Sequence, residues 1–277
     1  MAHREILHLV SDATGDTVSA AATAALARFD ALEPERRLHV FVRKLADLDA
    51  VLDDIDRAPG PIIFTVVDPA IAARLSAFAE ARGLEAVNLL DPLTQALRRC
   101  FGRSQIDVPG AQYDTGEAYL RRIAAIDFAM RNDDGAAGER FSAADVILAG
   151  VSRTSKTPTC IYLACRGVKA ANLPLVPGLE PPPAFEAARR RGVPLIGLTI
   201  SPSRLVQIRA ERLQSIGGPA RADYADLDAV RAEIAEARLF FARCAAPVVD
   251  VTRRSIEETA AAVMAILRAA SRGRSAE

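Results

Sequence analysis

The chain has 277 residues, half of them apolar, and its 35 lysines and arginines balance 35 aspartates and glutamates to a formal net charge of zero. That length and apolar content allow one large domain or two ordinary ones with a sizeable core, and they argue against disorder. The charge balance argues against a nucleic-acid partner. No apolar run approaches membrane-spanning length and the first residues lack a signal-peptide pattern, so the expectation is a cytoplasmic protein without membrane contacts.

In chain order, residues 6–10 form a short apolar run that ends in Ser11-Asp12-Ala13-Thr14-Gly15-Asp16-Thr17. Val18, Ala22, Ala25, Leu26 and Phe29 then fall on one helical face. Strands are expected at 40–42, 62–67 and 86–90, with a helix over 70–82 between the last two. This alternation predicts an α/β domain with a mainly parallel sheet. Periodicity weakens after Phe101, apart from a helix around Leu120, Ile123, Ala124 and Met130. Residues 132–138 carry turn chemistry, which sets the expected domains at 1–138 and 139–277.

The alternation restarts with a strand at 146–148, a polar loop and a helix through Ile161, Leu163 and Ala164 that ends near Gly167. A short extended segment is expected at 173–176, and Pro177 with Pro181, Pro182 and Pro183 marks a turn before the next helix. A strand at 193–200, helices over 203–213 and 227–243, and a strand at 247–251 follow. Ser255 and Glu258 have capping-box spacing, ahead of an apolar face of Ile256, Ala260, Val263, Met264 and Leu267. No internal repeat stands out.

The loop after the 146–148 strand carries the most chemistry. Gly150, Lys156 and Thr157 match a phosphate-binding loop, in which a glycine, four residues, a second glycine, lysine and a hydroxyl residue follow in order. Ser155 stands where the second glycine belongs. On this reading Gly150, Val151, Ser152, Arg153, Thr154, Ser155, Lys156 and Thr157 cradle nucleotide phosphates at a helix N-terminus. Lys156 reaches the terminal phosphate, Arg153 neutralises donor charge beside it, and the Thr157 hydroxyl faces a magnesium ion. Pro158 suits the first helical turn. The second domain is thus expected to be P-loop kinase-like; the competing reading is an ordinary strand-turn-helix connection.

Other clusters admit two readings each. Arg204, Arg209 and Arg212 form either a cationic lid over a transferring phosphoryl group or the exposed basic face of a helix. Asp12 and Asp16 lie at a strand end where open α/β sheets bind ligands, or Asp16 or Thr17 simply caps a helix. Asp133-Asp134-Gly135 holds a base or a metal, or makes a turn. Residues 247–252 lie where late strand-loop segments pack near the base in small nucleotide kinases, which is analogy of fold only. The cysteines at 100, 160, 165 and 244 have no CxxC spacing, and His3, His8 and His39 all fall in the first forty residues. Neither a catalytic metal cluster nor a Ser-His-Asp hydrolase follows from them.

Segments 11–17, 133–135, 150–159, 169–177 and 249–258 together resemble the pyruvate, phosphate dikinase regulatory proteins, relatives of the phosphoenolpyruvate synthase regulatory proteins. Ser155 agrees with the dikinase branch, since the synthase branch tends to carry glycine there. The resemblance implies a bifunctional enzyme that uses ADP to phosphorylate a threonine beside the dikinase's catalytic, already phosphorylated histidine. It further implies removal of that phosphate by inorganic phosphate, releasing pyrophosphate. Asp12, Asp16, Asp133 and Asp134 are the candidate bases. A homodimer, the synthase as target, a small-molecule P-loop kinase and a non-catalytic nucleotide sensor stay open.

Overall fold

A computed structural model describes residues 5–111, 116–131, 141–216 and 222–274. The chain divides into two compact units, Met1–Tyr113 and Asp114–Glu277. Each is an α/β unit around a four-stranded sheet in which every pairing is parallel. Among the described residues, no helix is long and apolar enough to cross a membrane.

The first unit runs β1 (Ile6–Ser11), α1 (Asp16–Leu26), β2 (Glu35–His39), α2 (Leu45–Arg57), β3 (Ile62–Thr65), α3 (Pro69–Ala81), β4 (Ala86–Asn88) and α4 (Asp91–Phe101). The sheet order is β2-β1-β3-β4. Residues 7–11 of β1 are buried on both faces, as a central parallel strand requires. Val10, Phe64, Leu48, Ile55, Ile71 and Leu75 build the larger core, while Leu7, Leu9, Val18 and Ala22 build a smaller one.

Three elements of this unit differ from the sequence reading, and for one of them, α4, no element was expected. The strand expected at 40–42 lies at Glu35–His39, in register with Ile6–Val10 of β1. Beyond it Phe41 turns left-handed at φ 57° and extension ends. The real strand is an edge whose charges are used: Arg37 donates to Asp54 at 2.9 Å and to Glu35 at 3.2 Å. Helix α2, for which no element was expected, buries Leu48, Val51, Leu52 and Ile55.

The second unit runs α5 (Glu117–Arg131), a short turn Phe141–Ala143, β5 (Val146–Gly150), α6 (Lys156–Ala164), β6 (Ala170–Pro174), α7 (Pro183–Arg190) and β7 (Leu195–Thr199). Then come α8 (Pro202–Ile216), a turn Ala222–Ala225, α9 (Leu227–Arg243), β8 (Val248–Asp250) and α10 (Ile256–Arg274). The expected extended segment at 173–176 starts earlier, with Ala170–Pro174 in register against Val146–Gly150. Helix α5 packs through Ala125 and Ala129 on Ala164 of α6, which places it in this unit. The boundary expected at 138/139 falls outside the described residues.

The sheet order here is β6-β5-β7-β8. Phe141, Phe185, Phe240 and Phe241 pack edge-on or tilted against one another in the core. Gly197 in β7 admits the Phe241 ring, whose atoms would lie 2.7 Å from a Cβ at that position. The chain leaves β5 for β6 on one side, and β7 pairs on the other. The loops after β5 and β7 therefore part at the carboxyl ends of the strands, where such sheets open a crevice.

Candidate functional site

The loop from Gly150 to Lys156 stands at that crevice. At Gly150 a Cβ would meet the Leu198 carbonyl oxygen and the Thr154 hydroxyl, each at 2.7 Å, so the strand end closes on its neighbours only with glycine. The Val151 carbonyl accepts from the Thr154 hydroxyl at 2.9 Å and from Lys156 Nζ at 2.8 Å. Lys156 is 6% exposed and is the first residue of α6. Arg153 and Ser155 both take left-handed backbone, at φ 72° and 58°. Ser155 thus adopts the conformation that glycine supplies in the general motif without the steric cost of a Cβ.

Helix α6 starts on this loop, with the Thr159 hydroxyl donating to the Ser155 carbonyl at 2.6 Å. The Thr157 hydroxyl accepts from Asn172 Nδ2 at 3.1 Å, and Asn172 is buried in β6. A cleft of about 640 Å³ lies over the loop, lined by Ser152, Arg153, Ser155, Lys156, Thr157, Pro158, Asn172, Pro174, Ile208 and Arg212. Three of these side chains are cationic and, among the described residues, none is acidic. A helix N-terminus adds its own positive potential, so the arrangement is suited chemically to a polyanion.

The three arginines of α8 separate. Arg212 lines the cleft. Arg204 donates to Gln207 at 2.8 Å on the exposed face. Arg209 is 2% exposed and makes a two-pronged pair with Glu233 of α9, at 2.7 and 2.9 Å. It also donates to the Ser152 carbonyl at 3.2 Å and the Tyr224 carbonyl at 3.1 Å. Burial raises the Tyr224 phenol, but hydrogen bonds from Ser152 and Arg153 and the charges of Arg209 and Arg153 outweigh it and hold the phenol below its ordinary value. Tyr224 and Glu233 drew no attention in the sequence, and Asn172 appeared there only within a matching segment. Tyr224 and Asn172 reach the loop from other elements, Glu233 reaches it through Arg209, and no local spacing marks any of them.

The late segment also meets the crevice. Asp250 at the end of β8 accepts the Thr252 N–H, and the Thr252 hydroxyl, hydrogen-bonded to the same carboxylate, accepts the Ser201 N–H at 2.9 Å. The Thr252 hydroxyl leads the causes that hold the Asp250 carboxyl below its usual range. The ends of β7 and β8 are thereby braced together.

In the first unit, the Asp12 carboxylate is 3% exposed and accepts the Val67 N–H at 2.9 Å, joining the ends of β1 and β3. Asp16 is the first residue of α1 and accepts from the Thr14 hydroxyl at 2.8 Å; the cap itself is Gly15, at φ 83°. Asp133 and Asp134 lie outside the described residues. His8, His39 and Asp54 place one ligand atom each within 4.8 Å of one another. The two rings lie within 14° of parallel with facing nitrogens 3.1 Å apart, so the lone pair of one is spent on the other.

The family model described as kinase/pyrophosphorylase matches residues 7–264, nearly the whole chain. The chain belongs to the kinase/pyrophosphorylase family. Membership marks it as a kinase-like enzyme. Among its relatives, a protein of Caulobacter vibrioides is 48% identical over 94% of this chain and 82% of its own length. Proteins of Rhizorhabdus wittichii and Sphingopyxis alaskensis are each 46% identical, over 93% and 94% of this chain and 93% and 96% of their own lengths. All three bear a provisional name as a pyruvate, phosphate dikinase regulatory protein. In this member of the family, the 640 Å³ cleft gathers every residue from Ser152 to Thr157 except Thr154, which is buried.

Proposed function

We propose that the chain regulates pyruvate, phosphate dikinase by moving a phosphoryl group on and off one of its threonines. In one direction the terminal phosphoryl of ADP passes to the threonine oxygen, with AMP leaving and the hydroxyl proton released. In the other, inorganic phosphate takes the phosphoryl group, giving pyrophosphate and the free threonine. One cationic cleft serves both, because both reactions move a phosphoryl group to or from the same oxygen. Such transfers need anchored phosphates and cations against the charge of the moving group more than covalent chemistry from the protein.

The observation that carries this reading is the cleft over the Gly150–Lys156 loop, with Lys156, Arg153 and Arg212 in its wall. Lys156 donates to the Val151 carbonyl and lines the cleft, so its ammonium charge acts on a phosphate bound there. A magnesium ion fits the donor set at Thr157, a hydroxyl without a carboxylate among the described lining, if nucleotide phosphates and water supply the other oxygens, as magnesium prefers. Bound there, it would offset phosphate charge. The names of the relatives support the dikinase as the protein substrate.

Incubation with dikinase, phosphoenolpyruvate and ADP labelled in its terminal phosphate is expected to place label on a dikinase threonine. Lys156→Ala should abolish both that transfer and the phosphate-dependent release of pyrophosphate. Binding of ADP without transfer would make the protein a sensor instead, and full pyrophosphate release by the variant would rule out one shared site.

A further inference from the structure

Arg209 is a charged side chain of the second unit that the chemistry above does not use. It is a buried guanidinium whose charge is already matched by Glu233, so it adds little to a phosphate's attraction. A buried ion pair is also poor value for stability alone, since apolar residues of the same shape generally do as well. Its remaining bonds go to two backbone carbonyls, Ser152 in the phosphate loop and Tyr224 in the turn before α9, and the Tyr224 ring covers the guanidinium at 4.6 Å.

Ser152, like Pro174, is shared by two clefts. It lines the 640 Å³ cleft over the loop and a second of about 800 Å³, to which Arg209, Tyr224 and Glu233 belong. Peptides here are trans, and in a trans unit the carbonyl and the following N–H point opposite ways. Drawing the Ser152 carbonyl towards Arg209, on the second side, therefore sends the Arg153 N–H towards the first. The Val151 carbonyl is held separately, by Lys156 and Thr154. An amide so turned, in a loop where Arg153 and Ser155 are left-handed, suits an anion-binding concavity.

We propose that Arg209 is the positioning residue of the phosphate loop, fixing the Ser152 peptide so that the Arg153 N–H faces the cleft, with Glu233 locking the guanidinium in place. This rests on the phosphoryl-transfer reading for the identity of the anion, but not for the shape of the loop. Arginine is required because a fork of fixed geometry serves a carboxylate and two carbonyls at once, which an ammonium cannot do.

Arg209→Lys tests it in the full chain, read by amide hydrogen exchange and by steady-state kinetics with ADP and dikinase. Exchange at residues 152–155 should speed by about tenfold while the β5 amides stay protected, and KM for ADP should rise by about tenfold with kcat changed by less than about threefold. Glu233→Gln keeps the shape and an acceptor but loses the charge. It should give the same local pattern at smaller amplitude, and it serves if the lysine variant does not fold. Unchanged exchange at 152–155, or a fall in kcat at constant KM together with a lowered Tm, would overturn the proposal and leave an ordinary structural pair. Faster loop exchange in a protein whose wild type takes up no ADP would uphold the positioning role and sink the nucleotide reading instead.

Discussion

Ser155 is where the loop departs from the general phosphate-binding pattern, and its left-handed backbone shows what the departure costs. A non-glycine residue held at φ 58° carries roughly 1 kcal/mol of steric strain. Ser155→Gly should remove that strain, while the freer unfolded glycine takes part of it back. The expected net is a rise in Tm of about 2 °C, with nucleotide affinity kept, as measured by thermal unfolding and calorimetric titration. A fall in Tm would mean that the serine side chain holds the loop. At this scale the sequence was readable wherever function is local: Gly150, Lys156 and Thr157 are neighbours in the chain and their spacing carries the motif. Arg209 was visible as a charge, but its role was not. Its partners Glu233 and Tyr224 lie on other elements, and only packing shows that the charge is neutralised and turned towards the backbone.

Elements were legible in proportion to how far their own residues decide them. Helix α9 runs over Leu227–Arg243 as its apolar period indicates, and β5 and β7 are apolar runs buried on both faces. Edge strand β2 is the opposite case: Glu-Arg-Arg-Leu-His has no strand signal, and its place is set by the β1 ladder rather than by propensity. The start of α10 is decided locally. Ser255 Oγ accepts the Glu258 N–H at 3.1 Å and Glu258 accepts the Ser255 N–H at 2.9 Å, satisfying two helix-end donors reciprocally. Ser255→Ala should therefore cost about 1 kcal/mol, seen as a lower denaturant midpoint at unchanged m. Because Thr252 braces β7 and β8 just before this cap, the nucleotide KM should hold steady in the same variant; an unchanged midpoint would show that the helix start is fixed by packing of Ala260 and Val263 instead.

Across the whole molecule, one strand order occurs twice: β2-β1-β3-β4 and β6-β5-β7-β8. The likeness reaches the first loop of each unit. Thr14, Gly15, Asp16 and Thr17 occupy the places of Thr154, Ser155, Lys156 and Thr157, with a left-handed residue capping the helix in both. The sequence hid this duplication because the copies share topology and loop shape while few side chains match. One place differs in charge: the first helical residue is an acid in one unit and a lysine in the other, so the second loop is the better suited to an anion. Each unit also has its own apolar core, which leads to a prediction for unfolding. Calorimetry should resolve two transitions, and saturating ADP should move only one. At a hundred times its Kd a ligand adds about 2.7 kcal/mol to the state it binds, which for a unit of this size raises the midpoint by roughly 5–10 °C. Lys156→Ala should abolish that shift without displacing the other transition. If ADP moved both transitions, or the one that survives in a chain ending at residue 113, the nucleotide would belong to the first loop and the charge reversal at Asp16 would not be what selects the site.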